Sequence, residues 1–143
     1  VQTCALPIFR VARRARPSGL RVDAQPDSVT VSCAHDGFLR LGGRAVHRRT
    51  WTARPGCLEV RDEVTGTGAI TAHWHFAPEL VISAMNPCIV PLPGHHAMTV
   101  EAGRAAWSVA RSTWHPEFGS SVPNWAATTR PDGRTSVVRF TWS

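Results

Sequence analysis

Ser28–His35 reads S-V-T-V-S-C-A-H and runs straight into Asp36-Gly37. In an extended chain Val29, Val31 and Cys33 fall on one side and Thr30 and Ser32 on the other, and Asp-Gly is a dipeptide that reverses a hairpin. This pattern, a short alternating run closed by turn residues, recurs along the chain. Ala45–Ala53 and Cys57–Val64 follow, separated by Arg54-Pro55-Gly56, and Ala69–Phe76 comes after Thr65-Gly66-Thr67-Gly68. Leu58, Val60 and Val64 share one face, as do Ile70, Ala72, Trp74 and Phe76, so these strands of a meander offer an apolar side to a second layer. Leu80–Ala84, Met98–Ala102, Ala105–Arg111 and Arg134–Trp142 repeat the pattern, broken by Pro87, Pro91-Leu92-Pro93-Gly94, Gly103 and Pro131-Asp132-Gly133. No stretch of useful length keeps the helical period. The expectation is an all-β protein, an antiparallel β-sandwich or jelly roll of roughly seven to ten short strands.

Val1–Ile8, V-Q-T-C-A-L-P-I, reads differently. The adapter sequence CAG ACG TGT GCT CTT CCG ATC translates to Gln-Thr-Cys-Ala-Leu-Pro-Ile, so residues 1–8 are set aside as non-native. Native sequence is then expected from Phe9 or Arg10, with residues 9–143 forming a sandwich domain incomplete at its N-terminus. Arg10–Pro17 is an irregular basic stretch, expected as a frayed strand or linker. A chain of 143 residues buries roughly 68–70% of its unfolded surface, enough for one core without disulfides or metal. No apolar run approaches the ~20 residues of a membrane-spanning helix.

The formal net charge is +6, and all 16 basic residues are arginine. They are spread along the chain without a dense block or an interleaved aromatic platform, which argues against nucleic acid. Guanidinium forks match carboxylate and sulfate oxygens in pairs, so an acidic polymer fits better. With Cys4 set aside, Cys33, Cys57 and Cys88 are odd in number and far apart, lacking any C-x-x-C pair. They read as small hydrophobes rather than disulfide or zinc ligands.

Among residues able to carry chemistry, His73 and His75 alternate on one strand face, as two metal ligands on a strand must. With Glu79 and His95-His96 they loosely resemble the metal-binding pattern of cupins, although the Pro-Gly-His spacing differs and Pro78 ends the strand early. His47 and Arg49 project to one side of their strand and Arg48 to the other, so the three make one patch only across a bulge. Trp51, Trp74, Trp107 and Trp142 lie in expected strands as core anchors, while Trp114 and Trp125 fall at or near a loop, where an exposed ring beside His115 can stack on a sugar.

As an ordered set, H-D-G-F-L-R-L at His35–Leu41, H-R-R-T at His47–Thr50, L-E-V-R-D-E-V-T-G-T-G at Leu58–Gly68, W-H-F-A-P at Trp74–Pro78 and W-H-P-E-F-G at Trp114–Gly119 resemble the C-terminal region of heparinase II/III-like polysaccharide lyases. The departures are Phe38, where Tyr is expected, and His115, where Ser is common. The resemblance implies a parent enzyme in which an N-terminal α-helical toroid and this sandwich wall a cleft for an acidic, uronate-containing polysaccharide such as a glycosaminoglycan or alginate. It implies β-elimination: a neutralised carboxylate, a base taking the C5 proton and an acid protonating the leaving oxygen. It also implies a periplasmic or secreted setting. The family's catalytic His and its zinc-ligating His and Asp residues lie upstream of the matched region, and the chain has no Tyr. No catalytic or metal residue is therefore assigned here, any zinc belongs to the parent, and the fragment is expected to be inactive. Arg40, Arg48 and Arg49 are the candidate polyanion contacts. Two other readings stand beside this one: a non-catalytic carbohydrate-binding β-sandwich, and a cupin-like metalloprotein using His73, His75, Glu79 and His95.

Overall fold

The computed structural model describes residues 14–42, 44–67, 71–130 and 133–143. Val1–Ile8, the first part of the Arg10–Pro17 stretch, Gly68 to Ile70 before the strand at Ala72, and Pro131-Asp132 lie outside them. Ten strands run through the described residues: β1 (Pro17–Gln25), β2 (Ser28–His35), β3 (His47–Arg54), β4 (Cys57–Val64), β5 (Ala72–His75), β6 (Cys88–Pro91), β7 (Ala97–Glu101), β8 (Ala106–Trp114), β9 (Val122–Arg130) and β10 (Thr135–Trp142). They form a seven-stranded sheet in the order β1-β2-β3-β4-β10-β7-β6 and a three-stranded sheet in the order β5-β9-β8. Every described pairing is antiparallel. No helix among the described residues is long and apolar enough to cross a membrane. The architecture is an all-β sandwich whose sheets do not close into a barrel.

The two layers meet over one end of the large sheet. Cys88 and Val90 of β6, Val100 of β7, Val138 of β10 and Ala127 of β9 are buried together with Phe76, Ile82 and Ala102. Trp74, Trp107, Val109 and Phe140 pack against this cluster. The inward positions on β6, β7 and β10 follow from the two-residue period of each strand, and the long aromatics span the gap that the small residues of β9 leave. The turn joining β3 to β4 closes against the end of β10, where the Trp142 N–H donates to the Gly56 carbonyl at 2.9 Å. Gly56 has φ +68°, and a Cβ there would sit 2.8 Å from the Trp142 carbonyl oxygen, so only glycine fits.

The limited reach of the small sheet explains the departures from the sequence reading. Trp51 and Trp142, expected as core anchors, are exposed, because the three described strands of the small sheet do not span the seven of the large one. Leu80–Ala84 is not a strand: the Leu80 N–H turns back to the Ala77 carbonyl at 3.0 Å, and Ile82 plugs the core while Val81 faces out. Its alternation serves burial without a ladder. β9 lacks an apolar alternation because it starts Val122-Pro123-Asn124 and its buried residues are Asn124, Ala126, Ala127 and Thr129. A central strand covered closely on one side favours such small side chains. β6 tolerates Pro91 because it is an edge strand.

Candidate functional site

The inward face of β4 reads Leu58, Val60, Asp62, Val64, so a carboxylate occupies a core position. Asp62 is only 3% exposed. An unpaired carboxylate there would cost several kcal/mol, and the neighbouring strand supplies its partners. Arg49 stands opposite Asp62 in the β3–β4 register, with His47 one step along. The Arg49 Nε–H donates to Asp62 Oδ1 at 2.6 Å and Nη2–H to Oδ2 at 2.9 Å, a two-pronged contact. His47 Nε2 lies 2.6 Å from the same Oδ1. Burial by itself would raise the Asp62 pKa, but the bonds from His47 and Arg49 outweigh it and hold the carboxyl below its ordinary value.

His35 extends the cluster into β2, directly opposite His47. Its Nε2 is 3.0 Å from His47 Nδ1, and its Nδ1 accepts the Gly37 N–H at 3.2 Å. That amide decides the proton order. His35 Nδ1 is an acceptor, so Nε2 carries the hydrogen and donates to His47 Nδ1, and His47 in turn donates through Nε2–H to Asp62. The Phe38 ring, 5.2 Å from His35 and 6.4 Å from His47 between centroids, covers the pair.

Arg49 also reaches the other layer. Its Cζ lies 5.1 Å from the Trp74 ring centroid, while the Trp74 indole N–H donates to Thr129 Oγ1 at 3.2 Å and the ring packs on Phe140 at 5.6 Å. Arg49 thus ties β3 and β4 of the large sheet to β5 of the small one. Arg48, on a strand without a register shift against β2 or β4, projects to the opposite face, its Nη2 only 3.2 Å from where Gly19 of β1 would carry a Cβ. Arg40 is exposed in the turn after β2. The three candidate arginines therefore do not converge. On the outer face Arg139 pairs with Glu59 at 2.8 Å and Arg61 with Glu63 at 3.5 Å, exposed contacts worth about 0–1 kcal/mol each.

His73 and His75 are exposed on the outer side of β5, opposite Thr128 and Ala126, and Glu79 is exposed beyond the strand. His95 ends a 3₁₀ turn, Pro93–His95, that joins β6 to β7 in the other sheet. Among the described residues no three His, Cys, Asp or Glu side chains converge as metal ligands. Trp125 lies in β9 rather than in a loop, with Arg111 Cζ stacked 3.9 Å from its ring centroid. Trp114 and Phe118 are exposed around the β8–β9 loop. His115 shapes that loop, its Nδ1–H donating to the Ser120 carbonyl at 3.0 Å and its Nε2 accepting from Thr113 Oγ1 at 3.1 Å.

The Asp62 cluster went unassigned in the sequence reading, although one signal was there. A carboxylate at the third place of Leu58, Val60, Asp62, Val64 breaks an apolar face, and such a residue needs a partner. Identifying that partner takes the β3–β4 register, which alternation alone leaves open.

The family model described as heparinase II/III-like, C-terminal, matches residues 5–142. The chain belongs to this family. The match begins at Ala5, inside the stretch set aside as adapter-like. Among solved structures, this heparinase II/III-like domain is similar to the heparan sulfate lyase HepC from Pedobacter heparinus. The TM-score is 0.70 at 9% identity, covering 90% of this chain and 22% of that one. It is also similar to a heparinase III gene product, with TM-score 0.66 and 10% identity, covering 87% of this chain and 21% of that one. At such identities the likeness is one of fold. The chain spans about a fifth of the length of these structures. No curated protein matches the sequence.

Proposed function

We propose that this heparinase II/III-like domain is the C-terminal part of a lyase that cleaves an acidic, uronate-containing polysaccharide by β-elimination. A heparan-sulfate-like glycosaminoglycan is the first substrate to try. The observation that carries the reading is the family match across nearly the whole chain. In this reading the base and acid of the elimination, and any zinc, lie in an N-terminal part that includes a helical toroid. The domain completes the fold and presents arginines to the polymer. Arg40 and Arg48 make those contacts. Arg49, whose fork is already on Asp62, serves by holding the layers together.

Retention on immobilised heparin tests the binding half. The domain is expected to bind and to be released by salt, because exposed charge pairs are screened. Arg40→Ala and Arg48→Ala are each expected to weaken binding by about two- to fivefold, the size of an exposed ion pair. Salt-insensitive binding, or variants that bind as well as the parent, would remove the arginines from the account.

A second reading, a carbohydrate-binding sandwich without chemistry, is favoured by the exposed Trp114 and Phe118 rings. Aromatic faces stack on sugars without needing charge. Trp114→Ala would then abolish retention that persists at high salt, while the arginine variants would leave it unchanged.

A further inference from the structure

We propose that His35 and His47 form a proton-sensitive latch: uptake of one proton by the imidazole pair frees the Gly37 end of the Asp36–Gly42 loop, which the neutral pair pins to β2. This goes beyond the lyase reading and does not rest on it.

The geometry allows only one proton order. Gly37 N–H, His35 and His47 donate in sequence, each to the next, and the chain ends on the Asp62 carboxylate. Every ring nitrogen is used, and neither imidazole has a spare acceptor. An added proton on His47 Nδ1 would confront the His35 Nε2–H, and one on His35 Nδ1 would confront the Gly37 N–H. One of the three bonds must break. The link to Asp62 is charge-assisted and 2.6 Å long, the inter-imidazole link is 3.0 Å and the Gly37 link is 3.2 Å. The longest bond, between neutral groups, is the one to yield.

The loop is built to sit on this pair. A Cβ on Gly37 would lie 3.1 Å from His35 Nδ1 and 3.1 Å from the Ala15 Cβ, so the missing side chain is what lets the amide approach. Phe38 covers both rings. Beyond the latch, two turn bonds, Leu39 N–H to the Asp36 carbonyl at 2.9 Å and Leu41 N–H to the Phe38 carbonyl at 3.0 Å, are internal to the loop. Asp36 is anchored separately, its Oδ1 accepting the Arg16 N–H at 2.6 Å. The Gly37 amide is therefore the group that the titration releases, with the Phe38 ring stacked next to it.

The charged groups facing the pair are Asp62 from β4, Arg49 from β3 and Asp36 from the loop. Burial, then the facing His47, push the His35 pKa below its ordinary 6.5, with Asp36 pulling the other way and Arg49 adding to the lowering. A depressed histidine contributes its stability in full above the unfolded value. That contribution is lost as pH falls from 6.5 toward the folded value, so the latch opens on acidification.

Imidazole nitrogen and backbone amide magnetic resonance on the intact chain, from about pH 8 down to about pH 5, tests the latch. At the alkaline end both His35 and His47 are expected to carry hydrogen on Nε2 alone. On acidification the exchange protection of the Gly37 amide should fall roughly tenfold, the equivalent of one hydrogen bond, with the midpoint of the His35 titration. In His35→Gln the side-chain oxygen still accepts from Gly37 and the amide still donates to His47, without titrating, so Gly37 should stay protected throughout. Hydrogen on His35 Nδ1 at high pH, constant protection of Gly37 in the parent, or equal loss in His35→Gln would each overturn the proposal. The parent's tautomers and Gly37 profile decide alone if His35→Gln does not fold.

Discussion

Asp62→Ala is expected to lower the unfolding free energy of the domain by about 3–5 kcal/mol, the range for removing one partner of a buried ion pair. The size follows from what stays behind. Arg49 keeps its charge, and Arg49 and His47 keep N–H groups in a largely apolar layer with no acceptor for them, while the cation stacked on Trp74 loses the carboxylate that aims it. Asp62→Asn keeps the volume but turns an N–H₂ toward the Arg49 Nη2 donor, so it is expected to lose at least about half as much. Urea unfolding followed by tryptophan fluorescence measures both variants. The effect has a sign in pH. Because the Asp62 pKa is held below its ordinary 3.8, its contribution is full above that value and is lost as pH falls through the folded value. The gap between parent and Asp62→Ala should close toward strong acid. A loss below about 1 kcal/mol at neutral pH would show that the cluster is not a stabilising centre.

Phe76→Ala is expected to cost about 3–5 kcal/mol by opening a cavity between the sheets. Phe76 is 8% exposed and sits in the core cluster just beyond β5. Its backbone is held on both sides: the N–H donates to the Trp125 carbonyl at 3.0 Å, and its own carbonyl accepts from Asn124 Nδ2 at 2.9 Å. The strand end cannot sink into the space the ring leaves, which puts the cost toward the upper part of the range. Asn124→Ala separates the two contributions, since it removes the anchor and keeps the ring. The same unfolding measurement should give it a smaller loss, about 1–2 kcal/mol. Equal losses for the two variants would mean the ring contributes little to packing.

Much of the large sheet was legible from residue alternation. Ser28–His35 and Cys57–Val64 coincide with β2 and β4, because a strand with one covered and one open face imprints a two-residue period. That imprint fades where burial takes another form. β9 hides under small residues, and β1, exposed along its whole length, needs little apolar content. The opposed directions of Arg48 and Arg49 could be read from their adjacency on one strand. Their partners could not: the Asp62 fork and the Gly19 contact depend on which strands neighbour β3 and in what register. His35 and His47 are twelve residues apart and meet through the same pairing, so no local spacing announces them.

The proposed place of this domain is in a polysaccharide lyase whose chemistry lies outside it. The direct measurement is the ultraviolet absorbance of the unsaturated uronate end formed from heparan sulfate, with the isolated domain and the longer native-locus protein assayed side by side. No product is expected from the domain alone, and steady product from the longer protein. Product from the domain alone, or none from the longer protein on any uronate-containing polymer tried, would contradict that placement.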